Sequence, residues 1–188
     1  PLLIYWGRSV IDDTAAQAMS DHFTKRQIDR LYVVGSNETT APIIEAAYTR
    51  FVSILDSLIA TRGHLLGARP SSADFAVFGQ LTQLGIVEPT SAKITRDISA
   101  RVRAWLDRME DLSGLAPIEG DWFSREEAGE NLRPLLTEIG RVYAPFLRAN
   151  AAAIMGGEKT FETQIDGRRW TQPSFSYQAK CLKWLRDD

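Results

Sequence analysis

The sequence has little cysteine and little histidine, and neither sign of charge is in excess. The one cysteine, Cys181, cannot form a disulfide within the chain or supply the several thiolates of a zinc site. Two histidines, His22 and His64, are too few for a histidine-rich metal site. The 22 basic and 24 acidic residues leave a formal net charge of -2. This balance predicts no basic surface for nucleic acid or for an anionic membrane.

Long hydrophobic runs are also missing. The longest apolar run, residues 1–6, is far shorter than the roughly 20 residues of a membrane-spanning helix. It lacks the basic flank and the cleavage site of a signal peptide. We therefore expect no membrane partner and a cytoplasmic location. The sequence opens on this apolar and aromatic run without a methionine, which predicts that a further segment precedes it in the native protein.

The composition is that of a globular protein. A length of 188 residues fits one domain, or one domain with a small appendage. Hydrophobic residues make up 44% of the chain and charged residues 24%, which excludes a disordered or collagen-like chain.

Helical periodicity dominates the chain. An amphipathic helix is predicted from Pro42, in its first turn, to Arg62, with Gly63 just beyond its end. A loop is expected at residues 89–91, and a helix at residues 97–110. Residues 124–155 are predicted to be helical with interruptions. The expected interruptions are Gly129, Pro134, Gly140 and Pro145, with Asn131 as a cap before Pro134.

A capping pattern opens a helix that is apolar on nearly all sides. Ser71 and Asp74 have the spacing of an N-cap residue and its partner three positions later. They could also be interpreted as a catalytic pair, but no histidine has a recognisable relation to them, so a helix cap is the preferred interpretation. His64 follows a helix end and is expected at the surface.

The C-terminal part differs from the rest. TFETQI alternates in polarity, Asp166-Gly167 is a type I′ turn signal, and RRWTQ can form the returning strand. A hairpin near residues 160–172 and a final helix are predicted, and Cys181 is expected to pack on the apolar face of that helix. The predicted fold class is all-α. A helical bundle core spans residues 1–120, and an extension of residues 121–188 packs on the same domain. The lack of strand-helix-strand alternation counts against an α/β nucleotide-binding fold.

Two motifs in this order resemble one known family. LLGARPSSADFAVFGQL (residues 65–81) opens the central helix, and RVRAWLDRMEDL (residues 101–112) follows after a proline-containing loop. Together, Gly67, Ser71, Ala73, Asp74 and Trp105 resemble the C-terminal helical domain of the glutathione S-transferase superfamily. The resemblance covers roughly residues 1–115.

The resemblance implies a function for a longer parent protein. In that family a thioredoxin-like N-terminal domain binds glutathione as co-substrate and carries the catalytic residue. This chain shows no sequence of that type, so we expect no catalytic residue in it, no covalently bound cofactor and no activity of the isolated chain. The helical domain supplies one wall of the site for a hydrophobic electrophile. By position, Tyr5, Trp6 and Arg8 are the residues expected to face that cleft.

Two further expectations follow from the same resemblance. The parent is expected to conjugate or reduce hydrophobic electrophiles with glutathione, and to form a homodimer. The alternative is a non-catalytic interaction module, because the same helical fold serves as a docking domain in other proteins.

Overall fold

The computed structural model describes residues 12–116 and 120–187 of the chain. The α-helices in these ranges are α1 (Asp13–Ile28), α2 (Ala41–Arg62), α3 (Ser72–Leu81), α4 (Pro89–Ile98), α5 (Ala100–Glu110), α6 (Arg125–Glu138), α7 (Ala144–Gly156) and α8 (Ser176–Asp187). A 3₁₀ helix (Leu31–Val34), two π-helical segments (Thr82–Val87 and Ile139–Tyr143) and the strands β1 (Thr160–Ile165) and β2 (Arg168–Pro173) complete the elements. The fold is therefore all-α with a small C-terminal hairpin and a final helix, which confirms the predicted class. None of the helices in these ranges combines the length and the apolar character needed to cross a membrane.

The chain divides into two compact units. Among the described residues, one consists of residues 12–41 and 146–187, and the other is formed by the described part of residues 42–145. The division describes compactness alone, so the domain boundary expected at residue 120 stays a prediction.

The continuous unit is built around one apolar core. Its buried members are Val52, Leu55, Ile59, Leu65, Leu81, Val102, Trp105, Leu106 and Met109. In α2 the core residues Val52, Leu55 and Ile59 recur three to four positions apart, which places them on one side of the helix. In α5 the same spacing buries Val102, Trp105, Leu106 and Met109. Gly63 follows α2 at a φ of 86°, a left-handed conformation that suits glycine and ends the helix where the sequence predicts.

The expected loop at residues 89–91 is wrong. Pro89 is instead the first residue of α4, and the Glu88 side chain caps this helix by accepting a hydrogen bond from Ser91 N at 2.6 Å. Proline is tolerated there because the first helical N–H has no partner within the helix. The helix expected from residue 97 begins later, since the extended Ser99 separates α4 from α5 and caps α5.

Residues 124–155 are interrupted less often than expected. Helix α6 runs through Gly129 and Pro134, and its cap is Ser124 rather than Asn131. A π-helical segment follows, and Pro145 lies in the first turn of α7. A π segment widens the helix without ending it, so these residues continue as helix instead of breaking into a loop.

The hairpin forms where the sequence predicts it. Strands β1 and β2 pair antiparallel from Thr160–Pro173 to Ile165–Arg168. Asp166 and Gly167 connect them with φ values of 50° and 74°, as a type I′ turn requires. The buried side chains of the two strands are Phe161, Ile165, Trp170 and Gln172. The ring of Phe146 from α7 packs edge-on against Phe161 and Trp170, with ring centroids 5.3 Å and 6.1 Å apart.

Candidate functional site

The residues predicted to face an electrophile cleft lie outside the described part of the chain. Tyr5, Trp6 and Arg8 all precede residue 12, where the described residues begin. Their role in a cleft stays a prediction.

Ser71 and Asp74 form a buried capping box at the start of α3. The Asp74 carboxylate accepts hydrogen bonds from the Ser71 backbone N–H at 2.9 Å and from the Ser71 hydroxyl at 2.6 Å. The Asp74 N–H donates in return to Ser71 Oγ at 3.4 Å. The other carboxylate oxygen of Asp74 accepts a third hydrogen bond, from Leu65 N at 2.9 Å. One fully buried carboxylate therefore starts α3 and also fixes the chain that follows α2.

His64 lies beside this network and is fully buried, so its expected surface position is wrong. Neither imidazole nitrogen has a hydrogen-bond partner among the described residues. Burial lowers the pKa of His64 because it disfavours the charged imidazolium. The Asp74 carboxylate raises this pKa and Arg108 lowers it. Burial is the largest of these effects, so the imidazole is neutral at pH 7.

This arrangement is a structural site rather than a nucleophilic one. A Ser-His-Asp triad needs the imidazole to accept the serine proton while the carboxylate orients the imidazole. Here the Ser71 hydroxyl donates to Asp74, and His64 bonds to neither. The geometry stabilises a helix start and gives Ser71 no general base.

Trp105 ties α5 to the end of α2. Its indole N–H donates to the carbonyl oxygen of Gly63 at 3.0 Å. A shallow cavity of about 170 Å³ lies beside this contact, with Arg101 and Arg108 among its lining residues. That volume is below the 300–1,000 Å³ that is typical of small-molecule pockets, so this cavity is too small for a drug-sized electrophile.

Sequence reasoning missed the burial of His64 and the third hydrogen bond of Asp74. Both depend on how the segment after α2 folds back onto α3. One signal was present: His64 stands in the short stretch between Gly63 and Gly67, directly before Leu65 and Leu66. An apolar stretch held between two glycines favours a buried turn over a solvated one.

The fold and this capping site define a helical domain in which α3 starts on a buried serine-aspartate box, while the buried residues of α3 itself are Asp74 and Leu81. A family model described as "Glutathione S-transferase, C-terminal domain" matches residues 41–108, which cover α2, α3, α4 and most of α5. This part of the chain is similar to the C-terminal domain of that family. No significant match was found among curated proteins or among solved structures.

Proposed function

We propose that this chain is the electrophile-binding helical domain of a glutathione transferase. The match of residues 41–108 to the C-terminal domain of that family carries the proposal. The parent protein then pairs these helices with a thioredoxin-like domain that binds glutathione. It conjugates or reduces hydrophobic electrophiles, works as a homodimer and is cytoplasmic.

The proposed chemistry is attack by the glutathione thiolate on an electrophilic carbon. The thiol loses its proton in the glutathione-binding domain, because the thiolate is the reactive form. The new carbon–sulfur bond replaces the bond to a leaving group, which departs with its electron pair. The residues of this chain supply an apolar wall that orients the electrophile, with Tyr5, Trp6 and Arg8 as the proposed contacts.

The test uses the native protein, isolated from its source with an antibody raised against this chain. We expect a species larger than this chain by about one small domain. It should be retained on glutathione-agarose and should conjugate glutathione to chlorodinitrobenzene, while the isolated chain shows no turnover above buffer. A native protein that neither binds glutathione nor turns over this electrophile would overturn the proposal, in favour of the non-catalytic interaction module.

A variant of the active parent tests the role of the first residues. Trp6→Ala should raise KM for the electrophile several-fold and leave KM for glutathione unchanged, because only the apolar wall is altered. Trp122→Ala is the matched control, since Trp122 is about half exposed and lies outside the proposed wall. Equal effects of the two variants would contradict the assignment of Trp6.

A further inference from the structure

Helix α8 carries an exposed face on which aromatic and basic side chains stand side by side. None of its residues is buried. Tyr177 and Trp184 are both exposed, and at seven-residue spacing they lie on one side of the helix. Lys180 lies between them, three residues after Tyr177 and four before Trp184, and Lys183 follows Lys180 by three. These residues, together with the exposed Leu185 beside Trp184, form the outer face of α8.

Side-chain contacts connect the members of this outer face. The Lys180 ammonium lies 4.7 Å from the ring centroid of Trp184, as in a cation–π pair. The exposed ring of Phe175, which directly precedes α8, lies 6.5 Å from the ring of Tyr177. The aromatic surface therefore continues from the residue before α8 to its last turn.

A buried amide holds the start of α8 in place. The Asn150 side chain on α7 is fully buried. Its Nδ2 donates to the carbonyl oxygen of Phe175 at 2.9 Å, and its Oδ1 accepts from Phe175 N at 2.8 Å. This pair of hydrogen bonds fixes the first turn of α8 against α7. A face that is fixed before binding loses less entropy when it binds.

The lysines of the outer face are not neutralised in the described part of the chain. No residue there forms an ion pair with Lys180 or Lys183. Arg186 in the last turn is explained by the negative end of the helix dipole, but the two lysines stand in earlier turns. The balanced composition of the whole chain predicts no basic surface. It misses the local excess on α8, where Asp187 is the one acidic residue beside three basic ones.

An exposed lysine between two aromatic side chains suits a lipid surface better than a protein partner. Exposed apolar patches mark interaction sites of either kind. Lysine is depleted in protein–protein interfaces, which exclude water at their centre. At a bilayer surface, tyrosine and tryptophan place their rings at the boundary between headgroups and acyl chains. A lysine beside them keeps its stem on the apolar surface and extends its ammonium to the headgroups.

We propose that the outer face of α8 binds the surface of an anionic lipid bilayer. The helix lies along the surface, since its 12 residues are too few to span a bilayer. Tyr177, Trp184 and Leu185 contact the boundary of the acyl chains, and Lys180 and Lys183 pair with anionic headgroups. Binding of this kind adds apolar burial to charge attraction. The proposal does not depend on glutathione chemistry, and its test uses no glutathione.

The test measures co-sedimentation of the full chain with lipid vesicles at low salt. We expect binding to vesicles of phosphatidylcholine and phosphatidylglycerol to be about tenfold or more tighter than binding to vesicles of phosphatidylcholine alone. Added salt should weaken this binding, because it screens exposed charges. Equal binding to the two kinds of vesicle, or binding to neither, would overturn the proposal. Self-association of a chain that binds neither would assign the outer face to a second copy.

A charge-removing variant and a matched control test the two lysines. Lys180→Gln with Lys183→Gln should weaken binding to the anionic vesicles about 25-fold, because each basic residue near such a surface contributes about fivefold. The control Lys159→Gln with Arg168→Gln removes the same charge from exposed residues of the same unit outside α8. All these side chains are exposed, so both variants should keep the thermal midpoint of the parent chain. Equal losses of binding in the two variants would contradict the role of the lysines.

A third variant tests the aromatic part of the outer face. Trp184→Ala should weaken binding to the anionic vesicles about tenfold, because it removes a large apolar contact with the bilayer. Trp122→Ala is the control, since Trp122 is also about half exposed and lies outside α8. A loss of binding for Trp184→Ala no larger than that of the control would overturn the assignment of this face.

Discussion

At the scale of single residues, His64 is the least satisfied group in the described part of the chain. A buried polar group without a hydrogen bond costs roughly 1–3 kcal/mol of stability. His64→Leu replaces the imidazole with an apolar side chain of similar volume, so we expect the free energy of unfolding at pH 7.5 to rise by about 1 kcal/mol. Urea unfolding followed by circular dichroism measures this change. His64→Gln keeps a buried polar group and is the control that should give no gain.

The same residue predicts a dependence of stability on pH. Because burial lowers the pKa of His64 in the folded state, the unfolded chain binds more protons below the ordinary pKa of about 6.5. The folded chain therefore loses stability as the pH falls through that value and below it, by at most about 1.4 kcal/mol per pH unit. His64→Leu lacks this loss, so its advantage over the parent chain should be larger at pH 5.5 than at pH 7.5. An advantage that stays constant across this range would show that His64 does not titrate with folding.

At the scale of elements, the two capping boxes provide a matched comparison. The box of Ser71 and Asp74 is buried and carries the extra bond from Leu65, whereas the box of Ser124 and Glu127 is exposed. Replacing either serine with alanine should lower the free energy of unfolding by about 1 kcal/mol. Asp74→Ala should lower the free energy of unfolding by about 3 kcal/mol or more, because it leaves buried N–H groups without a hydrogen-bond acceptor. Glu127→Ala should lower it by much less, because that box is exposed. Equal losses for the two carboxylates in urea unfolding would contradict the structural role of Asp74.

The hairpin turn yields a second prediction at this scale. Gly167 has a φ of 74° with no atom within 4 Å of an added Cβ, so only backbone strain opposes a side chain there. Gly167→Ala should lower the free energy of unfolding by about 1 kcal/mol. Gly129 lies inside α6 with equally open space, and Gly129→Ala should raise it by up to about 1 kcal/mol. In thermal unfolding, the midpoint should fall for Gly167→Ala and rise for Gly129→Ala. Shifts of both midpoints in the same direction would contradict this prediction.

The elements that were predicted correctly from the sequence are those whose structure depends on residues close together in the chain. The turn at Asp166-Gly167 and the end of α2 at Gly63 depend on residues adjacent in sequence, and both are confirmed. The start of α4 at Pro89 was missed because proline marks both loops and first helical turns. Burial of His64 was missed because it results from contacts made after the chain folds back. Tyr177 and Trp184 lie seven residues apart on one face of α8, yet they are 58% and 49% exposed, because a helical pattern specifies a face but not what covers it.

At the scale of the whole molecule, one compact unit is a single stretch of sequence and the other is made of two separate stretches. Residues 42–145 form a continuous unit, whereas the other unit combines the described residues of 12–41 and 146–187. Every buried member of the core cluster, from Val52 to Met109, lies within the continuous segment. The same segment contains nearly all of residues 41–108, which match the glutathione S-transferase C-terminal domain. A continuous segment that contains its own core has what independent folding requires.

We therefore expect residues 37–145 to fold when expressed alone. The fragment retains the turn before α2, in which Asn37 Oδ1 accepts hydrogen bonds from Thr39 N and Thr40 N at 2.9 Å and 3.1 Å. It should unfold cooperatively in urea, and Ser71→Ala should destabilise it by the same amount, about 1 kcal/mol, as in the full chain. Equal losses would mean that the capping box acts entirely within this unit. A fragment without helical circular dichroism would instead show that the discontinuous unit is needed to fold this segment, although the segment contains its own core.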